Sequence, residues 1–456
     1  MLPDLLPDRG LIHVVGAGLV GALTTIGLAR LGYRVALFDR RADPATSARE
    51  RGRSVNVVVS ARGWRALEGI GLADEVRALC TPLIGRCIHL WRGDRLEQAY
   101  GRQGEQIWCI ERSLLHDFLS ARAACEPGVR LHWGYRLRSV ELERGLLGFQ
   151  VEGASETSLT WIPFERACGV DGAFSAMRGA LFEETFDFQQ QWLEVAYKEL
   201  RLPSRADGGP ELDPGRFQVW PRGRLFLGAF PNQDGTFTGS LFLPRTGFPS
   251  FETVTSEADF AALVSTFFPD LEPWLGTLWP QYRDNPASPM VTIRCRPWSW
   301  GGRFVLLGDA AHALVPFLGQ GMNCGFEDAR ALCRCLDEHG HDWTDALVAF
   351  ERERRPNADA LAALSLAHYK HLNHVPHPSD EARERLGLLL DEIAPERFRP
   401  LYELVAFTDI PYAAAERLEA LRCETIDRIL EDPAFDGPWP SDAEDRVRRA
   451  LQARRG

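Results

Sequence analysis

One stretch near the N-terminus constrains the fold of this chain more than any other. It reads LIHVVGAGLVGALTTIGLARLGYRVALFD and contains the glycine pattern Gly16-x-Gly18-x-x-Gly21. The apolar run Leu11–Val15 precedes the glycines, apolar residues at helical spacing follow them, and a second apolar run ends at Asp39. This order predicts a strand, a helix and a second strand, and therefore a parallel sheet with helices packed on it.

The three glycines occupy the places that a phosphate-binding turn requires. Gly16 permits the tight turn, Gly18 lets the backbone approach a pyrophosphate, and Gly21 allows the helix to pack closely on the strand. The N-terminus of the helix favours the negative charge of the phosphates. Asp39, at the tip of the second strand, is suited to accept hydrogen bonds from ribose hydroxyls. We therefore predict dinucleotide binding; the alternative is that the glycines only allow close packing.

A second glycine-rich stretch, LLGDAAHALVPFLGQGMNCGFED, spans residues 306–328. The apolar run before it is predicted to be a strand ending in Gly308 and Asp309, where an aspartate suits the ribityl hydroxyls of a flavin nucleotide. The turn that follows is predicted to direct backbone amides at the pyrophosphate and the flavin ring. Its residues are Gly319, Gly321, Met322 and Asn323. Both stretches are thus predicted to bind one FAD from opposite ends; an ordinary strand-loop-helix connection is the alternative.

Composition limits the partners and the location of the protein. The net charge of −11 argues against nucleic acid or an anionic membrane, since both require clustered Lys and Arg. The start, MLPDLLPDRG, lacks the basic and apolar segments of a signal peptide, and no window approaches the roughly 18 to 20 apolar residues of a membrane span. The ten cysteines are scattered without a CxxC pair, which is typical of reduced thiols. We expect a cytoplasmic protein that acts on a small molecule.

The pattern along the 456 residues predicts a mixed α/β fold with more than one domain. Three short β-rich runs between residues 216 and 244 are separated by PRG and NQDG turns, which predicts an antiparallel sheet. From Phe326 onward the periodicity is helical. The predicted parts are a discontinuous Rossmann-like FAD-binding domain (1–75, 103–180 and 290–377), a substrate-binding antiparallel-sheet domain (76–102 and 181–289) and a C-terminal helical region (378–456).

Three motifs, in this order, resemble the aromatic-ring hydroxylase family of FAD-dependent monooxygenases, which p-hydroxybenzoate hydroxylase typifies. They are the N-terminal GxGxxG, the stretch VDGAFSAMR that begins at Val170 and includes Asp171, and the stretch GDAAHALVPFLGQGMNCGFED. The resemblance implies FAD as cofactor, with NADPH and O2 as co-substrates. It also implies that Asp171 belongs to the cofactor contacts.

Further segments narrow the resemblance to the kynurenine 3-monooxygenases, from about residue 11 to about residue 415. They are GRSVNVVVSARGWRALEGIGL, PFLGQGMNCGFED, and GRCIHL paired with AYG. The resemblance implies hydroxylation of L-kynurenine at the 3-position through a C4a-hydroperoxyflavin, without a catalytic side chain. It assigns the substrate carboxylate to Arg86, Tyr100 and Tyr402, and it sets Arg112 against the FAD. From the residues alone, a surface arginine and half-buried core tyrosines remain the alternatives.

The apolar walls of the substrate pocket are predicted to include Phe230, Pro316 and Phe317. Two positions depart from the family pattern: His368 replaces an asparagine, and Leu318 replaces a phenylalanine or histidine. They leave open a hydroxylase of a substituted kynurenine, or of another aryl amino acid in a specialised pathway. An alternative from another class is an FAD-binding reductase that does not hydroxylate, or a flavin-bound regulatory protein.

We expect no metal site in the sequence. The series His368, His371, His374 and His377 drifts around a helix and lacks a completing Cys or acidic residue. The expected partner is a small aromatic amino acid, with neither nucleic acid nor membrane, and the chain is expected to be a monomer or homodimer.

Overall fold

The computed structural model describes most of the chain. The described residues are 8–43, 55–91, 93–101, 104–155, 158–182, 185–372, 378–435 and 437–452. His374 and His377 of the histidine series lie outside them.

Strands and helices alternate in the first part of the chain, and helices fill the last part. The strands are β1 (Leu11–Val15), β2 (Arg34–Phe38), β3 (Asn56–Val59), β4 (Thr81–Leu83), β5 (Gly85–His89), β6 (Arg95–Ala99), β7 (Ile107–Glu111), β8 (Val129–His132), β9 (Tyr135–Glu141), β10 (Leu146–Val151), β11 (Thr160–Pro163), β12 (Arg166–Gly169), β13 (Asp187–Leu202), β14 (Arg216–Arg222), β15 (Leu225–Pro231), β16 (Phe237–Pro244), β17 (Ser288–Arg296), β18 (Ser299–Trp300) and β19 (Phe304–Leu306). The α-helices are α1 (Leu19–Arg30), α2 (Ala61–Gly69), α3 (Ala73–Leu79), α4 (Arg112–Cys125), α5 (Ala176–Gly179), α6 (Glu257–Phe267), α7 (Leu275–Asp284), α8 (Asp309–His312), α9 (Gly321–Glu338), α10 (Trp343–Leu372), α11 (Pro378–Ile393), α12 (Leu401–Ala406), α13 (Tyr412–Leu430) and α14 (Ala443–Gln452). Short 3-10 turns occur at Pro269–Trp274, Pro316–Leu318 and Pro433–Phe435.

The predicted parallel sheet is confirmed. It has six strands in the order β18-β19-β12-β1-β2-β8, and β1 pairs in parallel with both β2 and β12. Four of the five residues of β1 are buried, because the strand is central and helices such as α1 and α9 cover the sheet. Both glycine-rich turns follow strands of this sheet, β1 and β19, and so leave it at the same edge.

A second sheet of seven strands has the order β17-β13-β16-β15-β14-β5-β6. The antiparallel prediction is right for every pair except β5 with β14, which is parallel. The chain passes through the first sheet between these two strands, so no hairpin turn fixes their relative direction. Helices α6 and α7 were not predicted; they cover one face with an apolar cluster that includes Phe260 and Leu278.

Two three-stranded sheets, β11-β10-β9 and β3-β7-β4, complete the β-structure of the described residues. The domain boundaries stay a prediction. Strand β17 begins before the predicted boundary at residue 290 and ends after it.

The predicted C-terminal helices are present as α11 to α14. Helices α11, α13 and α14 share an apolar cluster of their own, and α13 also packs against α10. Helix α12 contributes Tyr402, which packs with Tyr100 and Phe230. The C-terminal region therefore contacts the seven-stranded sheet. Among the helices of the described residues, none combines the length and apolar character needed to span a bilayer.

Candidate active site

A cavity of about 850 Å³ is lined by residues from both the six-stranded and the seven-stranded sheet. At one end it is lined by the turns after β1 and β19, and at the other by residues of the seven-stranded sheet and of α10 and α12. Most of the residues proposed from the sequence line it: Gly16, Gly18, Asp39, Arg86, Tyr100, Arg112, Asp171, Phe230, Asp309, Pro316, Phe317, Gly319, Gly321, Met322, His368 and Tyr402. Gly21, Gly308 and Asn323 do not line it.

The turn after β1 has the shape of a phosphate cradle. Gly16 has φ +108°, and a Cβ there would lie 2.3 Å from the carbonyl oxygen of Val170. A Cβ on Gly21 would lie 1.8 Å from the carbonyl oxygen of Gly16, so this glycine allows α1 to approach β1. A Cβ on Gly18 would meet nothing within 4 Å. The backbone at Gly18 therefore borders open cavity space, as a pyrophosphate requires.

Asp39 lies at this end, but its carboxylate already has partners. Oδ2 accepts a hydrogen bond from the amide of Ala17 at 2.7 Å, and Arg41 donates to both oxygens from its guanidinium at 2.9 Å. Burial opposes ionisation, but the bonds from Arg41 and the amides outweigh it, so the pKa of Asp39 is lowered. Arg41 also lines the cavity and was not singled out from the sequence. A ribose contact to Asp39 requires this half-exposed arginine to turn aside.

The second glycine-rich stretch presents backbone and Asp309 to the cavity and keeps Asn323 behind it. Gly319 has φ +64°, and the exposed Asp309 lines the cavity. Gly308 does not line the cavity, and its amide donates a hydrogen bond to Asp328 Oδ2 at 2.9 Å. Asn323 is fully buried; it donates to the carbonyl oxygens of Val58 and Gly319 at 2.8 and 3.0 Å. Asn323 therefore shapes the turn from behind.

Asp171 and Arg112 also line the cavity. Asp171 accepts hydrogen bonds from the amides of Ala176 and Met177, so it holds the start of α5. Burial raises the pKa of Asp171, although the hydrogen bonds from Ser175 and the amides oppose the rise. Arg112 is the exposed first residue of α4 and adds positive charge to the cavity wall.

Arg86 on β5 stands at the other end of the cavity with unsatisfied hydrogen-bonding capacity. Its Nε is buried and has no hydrogen-bond partner within the described part of the chain. Tyr100 and Tyr402 lie beside it, with their rings stacked 5.3 Å apart at 23°. Burial raises the pKa of both tyrosines, although Arg86 opposes this, so both keep their hydroxyl proton. A cation and two neutral donors are thus available to an anionic ligand.

His368 on α10 faces the same end and is uncharged at neutral pH. Burial, then the positive charge of Arg86 and the neighbouring His371, lower the pKa of His368 to about 4. The ring therefore offers one donor and one acceptor.

Aromatic side chains form the walls between the two ends. Phe230 stacks on Phe217 at 4.1 Å, and Phe317 contacts both Phe242 and Tyr369. Leu318 lines the cavity but is only 3% exposed and packs into the main core. Phe217 and Phe242 also line the cavity and were not predicted from the sequence. Side chains alternate between the two faces of β14 and β16, but the sequence does not tell which face points to the cavity.

The cavity therefore fits a flavin dinucleotide beside an anionic aromatic ligand. The glycine turns have the room and the backbone conformation for phosphates, and Asp309 and Arg112 line the same cavity. One further group, His312, Cys324 and Asp328, has its possible ligand atoms within 4.8 Å of one another. Arg354 donates to Asp328 at 2.8 Å and to Cys324 Sγ at 3.4 Å, so a guanidinium supplies the positive charge that a metal ion would bring.

Comparisons with known proteins agree with this geometry. A family model described as "FAD binding domain" matches residues 11–212 and 281–365. The chain is 36% identical over 434 residues to a kynurenine 3-monooxygenase of Christiangramia forsetii, covering 94% of this chain and 96% of that protein. It is 39% identical over 418 residues to a kynurenine 3-monooxygenase of Stenotrophomonas maltophilia, covering 91% of each.

Solved structures share the fold. The structure of a 2-methyl-3-hydroxypyridine-5-carboxylic acid oxygenase aligns with a TM-score of 0.66 at 23% identity, covering 80% of this chain and 93% of that one. The tetracycline destructase Tet(51) aligns with a TM-score of 0.62 at 16% identity, covering 89% and 100%.

Proposed function

Since the chain belongs to the FAD binding domain family and, within it, to the kynurenine 3-monooxygenases, we propose that it hydroxylates the ring of L-kynurenine at the 3-position. FAD is its cofactor, and NADPH and O2 are its co-substrates. The observation that carries the proposal is the buried, unpartnered Nε of Arg86 at one end of a cavity whose other end is a phosphate cradle. The cytoplasmic location and the monomeric or homodimeric state belong to the same proposal.

The cofactor is held by backbone more than by side chains. Gly16 and Gly18 receive the pyrophosphate, Asp309 receives the ribityl hydroxyls, and the turn from Gly319 to Met322 receives the ring. Bound FAD, once reduced by NADPH, supplies the activated oxygen. No side-chain nucleophile is needed, and the protein contributes position and a dry environment.

The substrate is held by its amino-acid end. Arg86 pairs with the carboxylate, and the hydroxyls of Tyr100 and Tyr402 donate to it. The neutral ring of His368 adds a donor or an acceptor for the same end. Because the contacts with Arg86, Tyr100 and Tyr402 fix the amino-acid end, the aryl ring is directed toward the flavin end, which converts binding energy into orientation.

The aromatic walls place the ring and exclude water. Phe230 and Phe317 bound the space that the aryl group occupies, with Pro316 beside them. Kynurenine is an ortho-acyl aniline, so its amino group donates electron density to the carbon ortho to it, which is the 3-position. An apolar pocket suits that neutral amine.

The activity is tested by incubating purified protein with FAD, NADPH and L-kynurenine. We expect oxygen consumption and a product heavier by one oxygen atom, with NADPH oxidation much slower when kynurenine is left out. A yellow protein whose NADPH oxidation no aryl amino acid stimulates would instead be a flavoprotein that does not hydroxylate.

A second candidate is a substituted kynurenine or another aryl amino acid. It is favoured by His368 at the carboxylate end and by Leu318, whose side chain packs into the core beside the pocket. Ranking a panel of ring-substituted kynurenines and other aryl amino acids by kcat/KM for stimulated NADPH oxidation separates the two. A substituted compound that exceeds kynurenine would establish the second candidate.

A further inference from the structure

The turn that we propose binds the flavin is held from behind by a residue outside the cavity. Gln320 lies between Gly319 and Gly321, which both line the cavity, yet its own side chain is 3% exposed and does not. Its Oε1 accepts a hydrogen bond from the Ser60 hydroxyl at 3.1 Å and another from the Tyr412 hydroxyl at 3.1 Å. Tyr412 is the first residue of α13, so a C-terminal helix supports this turn.

Tyr412 is fixed by charge as well as by packing. Its ring lies under the guanidinium of Arg62, 3.9 Å from the ring centroid, and Arg62 also donates to the carbonyl oxygen of Ile410. Glu327 forms an ion pair with each of two arginines: Oε1 lies 3.3 Å from Arg62 Nη1, and Oε2 lies 2.7 Å from Arg354 Nη1. A guanidinium over a desolvated aromatic face is attracted by the negative charge of the ring face. The tyrosine is thus held in one orientation.

The charged residues around Arg62 form a network that extends to the turn after β19. This turn precedes the proposed flavin-binding turn in the chain. Arg354 donates to Asp328 at 2.8 Å, and Asp328 accepts from the amide of Gly308 and from His312. Burial opposes the charges, but the mutual attraction of the partners lowers the pKa of Asp328 to about 2 and raises that of His312. The network therefore connects α2, α9, α10, the start of α13 and both parts of the second glycine-rich stretch.

The same C-terminal segment reaches the substrate end. Helix α12 carries Tyr402 into the cavity, and the short connection Phe407–Pro411 joins it directly to Tyr412. The connection is fixed by Arg62 through Ile410, and by the Thr408 hydroxyl, which donates to the carbonyl oxygen of Leu404 at 2.6 Å.

We propose that Tyr412 is a positioning residue for the flavin turn: by donating to Gln320 it sets the backbone of residues 318–321 and ties it to the helix that carries Tyr402. The C-terminal helices thereby set the distance between the cofactor end and the substrate end. The inference rests on FAD binding within the proposed function and not on the identity of the substrate.

The test compares Tyr412→Phe with Tyr282→Phe. The first variant removes the donor to Gln320 and keeps the ring under Arg62. The second is a matched control, because Tyr282 is equally buried and its hydroxyl donates to the carbonyl oxygen of Val254 at 3.1 Å in another core. Tm of the apoprotein, the FAD dissociation constant by fluorescence quenching, and the absorption spectrum of the bound flavin are measured without any aryl amino acid.

We expect similar apoprotein Tm values for the two variants. Only Tyr412→Phe should raise the FAD dissociation constant, by about 5- to 10-fold for one lost hydrogen bond, and alter the flavin absorption bands. In a Gln320→Met background, adding Tyr412→Phe should leave the dissociation constant of Gln320→Met unchanged. Additive effects of the two substitutions, or a Tyr412→Phe protein whose flavin behaves like that of Tyr282→Phe, would overturn the proposal. Failure of kynurenine as substrate would leave these readouts untouched.

Discussion

Among single residues, Arg86 is the one to which we assign the most specific role in the proposed function. Its buried Nε has no partner in the described part of the chain, and two neutral tyrosine hydroxyls lie beside it. A guanidinium whose Nε is buried without a hydrogen-bond partner favours the binding of an anion.

Replacing Arg86 should weaken substrate binding and leave the cofactor in place. For Arg86→Met we expect KM for kynurenine to rise about 100-fold or more, corresponding to roughly 3 kcal/mol, while the FAD dissociation constant stays unchanged. Steady-state kinetics and flavin titration measure the two. Arg245→Met, at an exposed position, is the matched control and should behave as wild type. Equal KM values for the two variants would remove Arg86 from the substrate site.

His368 should make the folded protein less stable in acid. Its pKa is lowered from 6.5 to about 4 by burial, then by Arg86 and His371, so the unfolded chain binds the proton first as the pH falls. The stabilisation is complete above about pH 6.5 and is lost between about pH 6.5 and pH 4. Wild type should therefore lose up to about 1.4 kcal/mol more per pH unit in that window than His368→Asn.

The measurement is the free energy of unfolding by urea at several pH values. His339→Asn, at an exposed position at the end of α9, is the control and should keep the wild-type slope. If His368→Asn and wild type show parallel slopes between pH 6.5 and 4, the ring is solvated and does not face Arg86.

At the scale of elements, the strand-turn-helix at residues 11–30 separates two roles of glycine. A Cβ on Gly21 would overlap the Gly16 carbonyl oxygen, whereas a Cβ on Gly18 would enter open cavity. Gly21→Ala should therefore lower Tm of the apoprotein by about 2 °C, at a cost on the order of 2 kcal/mol. Gly18→Ala should leave that Tm unchanged and weaken FAD binding at least 10-fold. Thermal denaturation and flavin titration separate them; the reverse pattern would contradict the assignment.

The elements that sequence reasoning could predict are those with a local signature. Strand β1, the turn after it and the end of β2 follow from glycine spacing and apolar runs, and the three strands β14 to β16 follow from turn residues between alternating segments. The parallel pairing of β5 with β14 depends on contacts between distant parts of the chain, and no local pattern encodes such contacts. Helix α6, in contrast, has a local signal that sequence reasoning missed, the capping box of Ser256 and Asp259.

The same distinction holds in the site. Gly16, Gly18 and Asp309 could be identified because they follow predicted strands closely. The carboxyl ends of parallel strands lie at the same edge of a sheet, so these residues were expected near one another. In the folded protein, Asn323 points away from the cavity, and Arg41 donates hydrogen bonds to Asp39. Both features depend on side-chain directions that the spacing of residues in the sequence does not give. The support of Gln320 by Tyr412 joins residues far apart in the sequence, so only the structure reveals it.

At the scale of the whole molecule, parts of the chain that are far apart in the sequence line one cavity, so a ligand that fills it should stabilise the protein as a unit. Saturating FAD at about 100 times its dissociation constant should add about 2.7 kcal/mol, which is roughly 3 °C in Tm for a chain of this length. FMN, which lacks the adenosine half, should give a smaller shift because the turn after β1 stays empty. Equal shifts from FAD and FMN in scanning calorimetry would mean that this turn does not bind the cofactor.

A crystal structure of the protein with FAD and L-kynurenine tests the central claim most directly. We predict density for FAD from the turn at Gly16 to the turn at Gly319, and kynurenine in the same cavity with its carboxylate within hydrogen-bonding distance of Arg86. FAD bound elsewhere, or kynurenine with its carboxylate turned away from Arg86, would contradict the account.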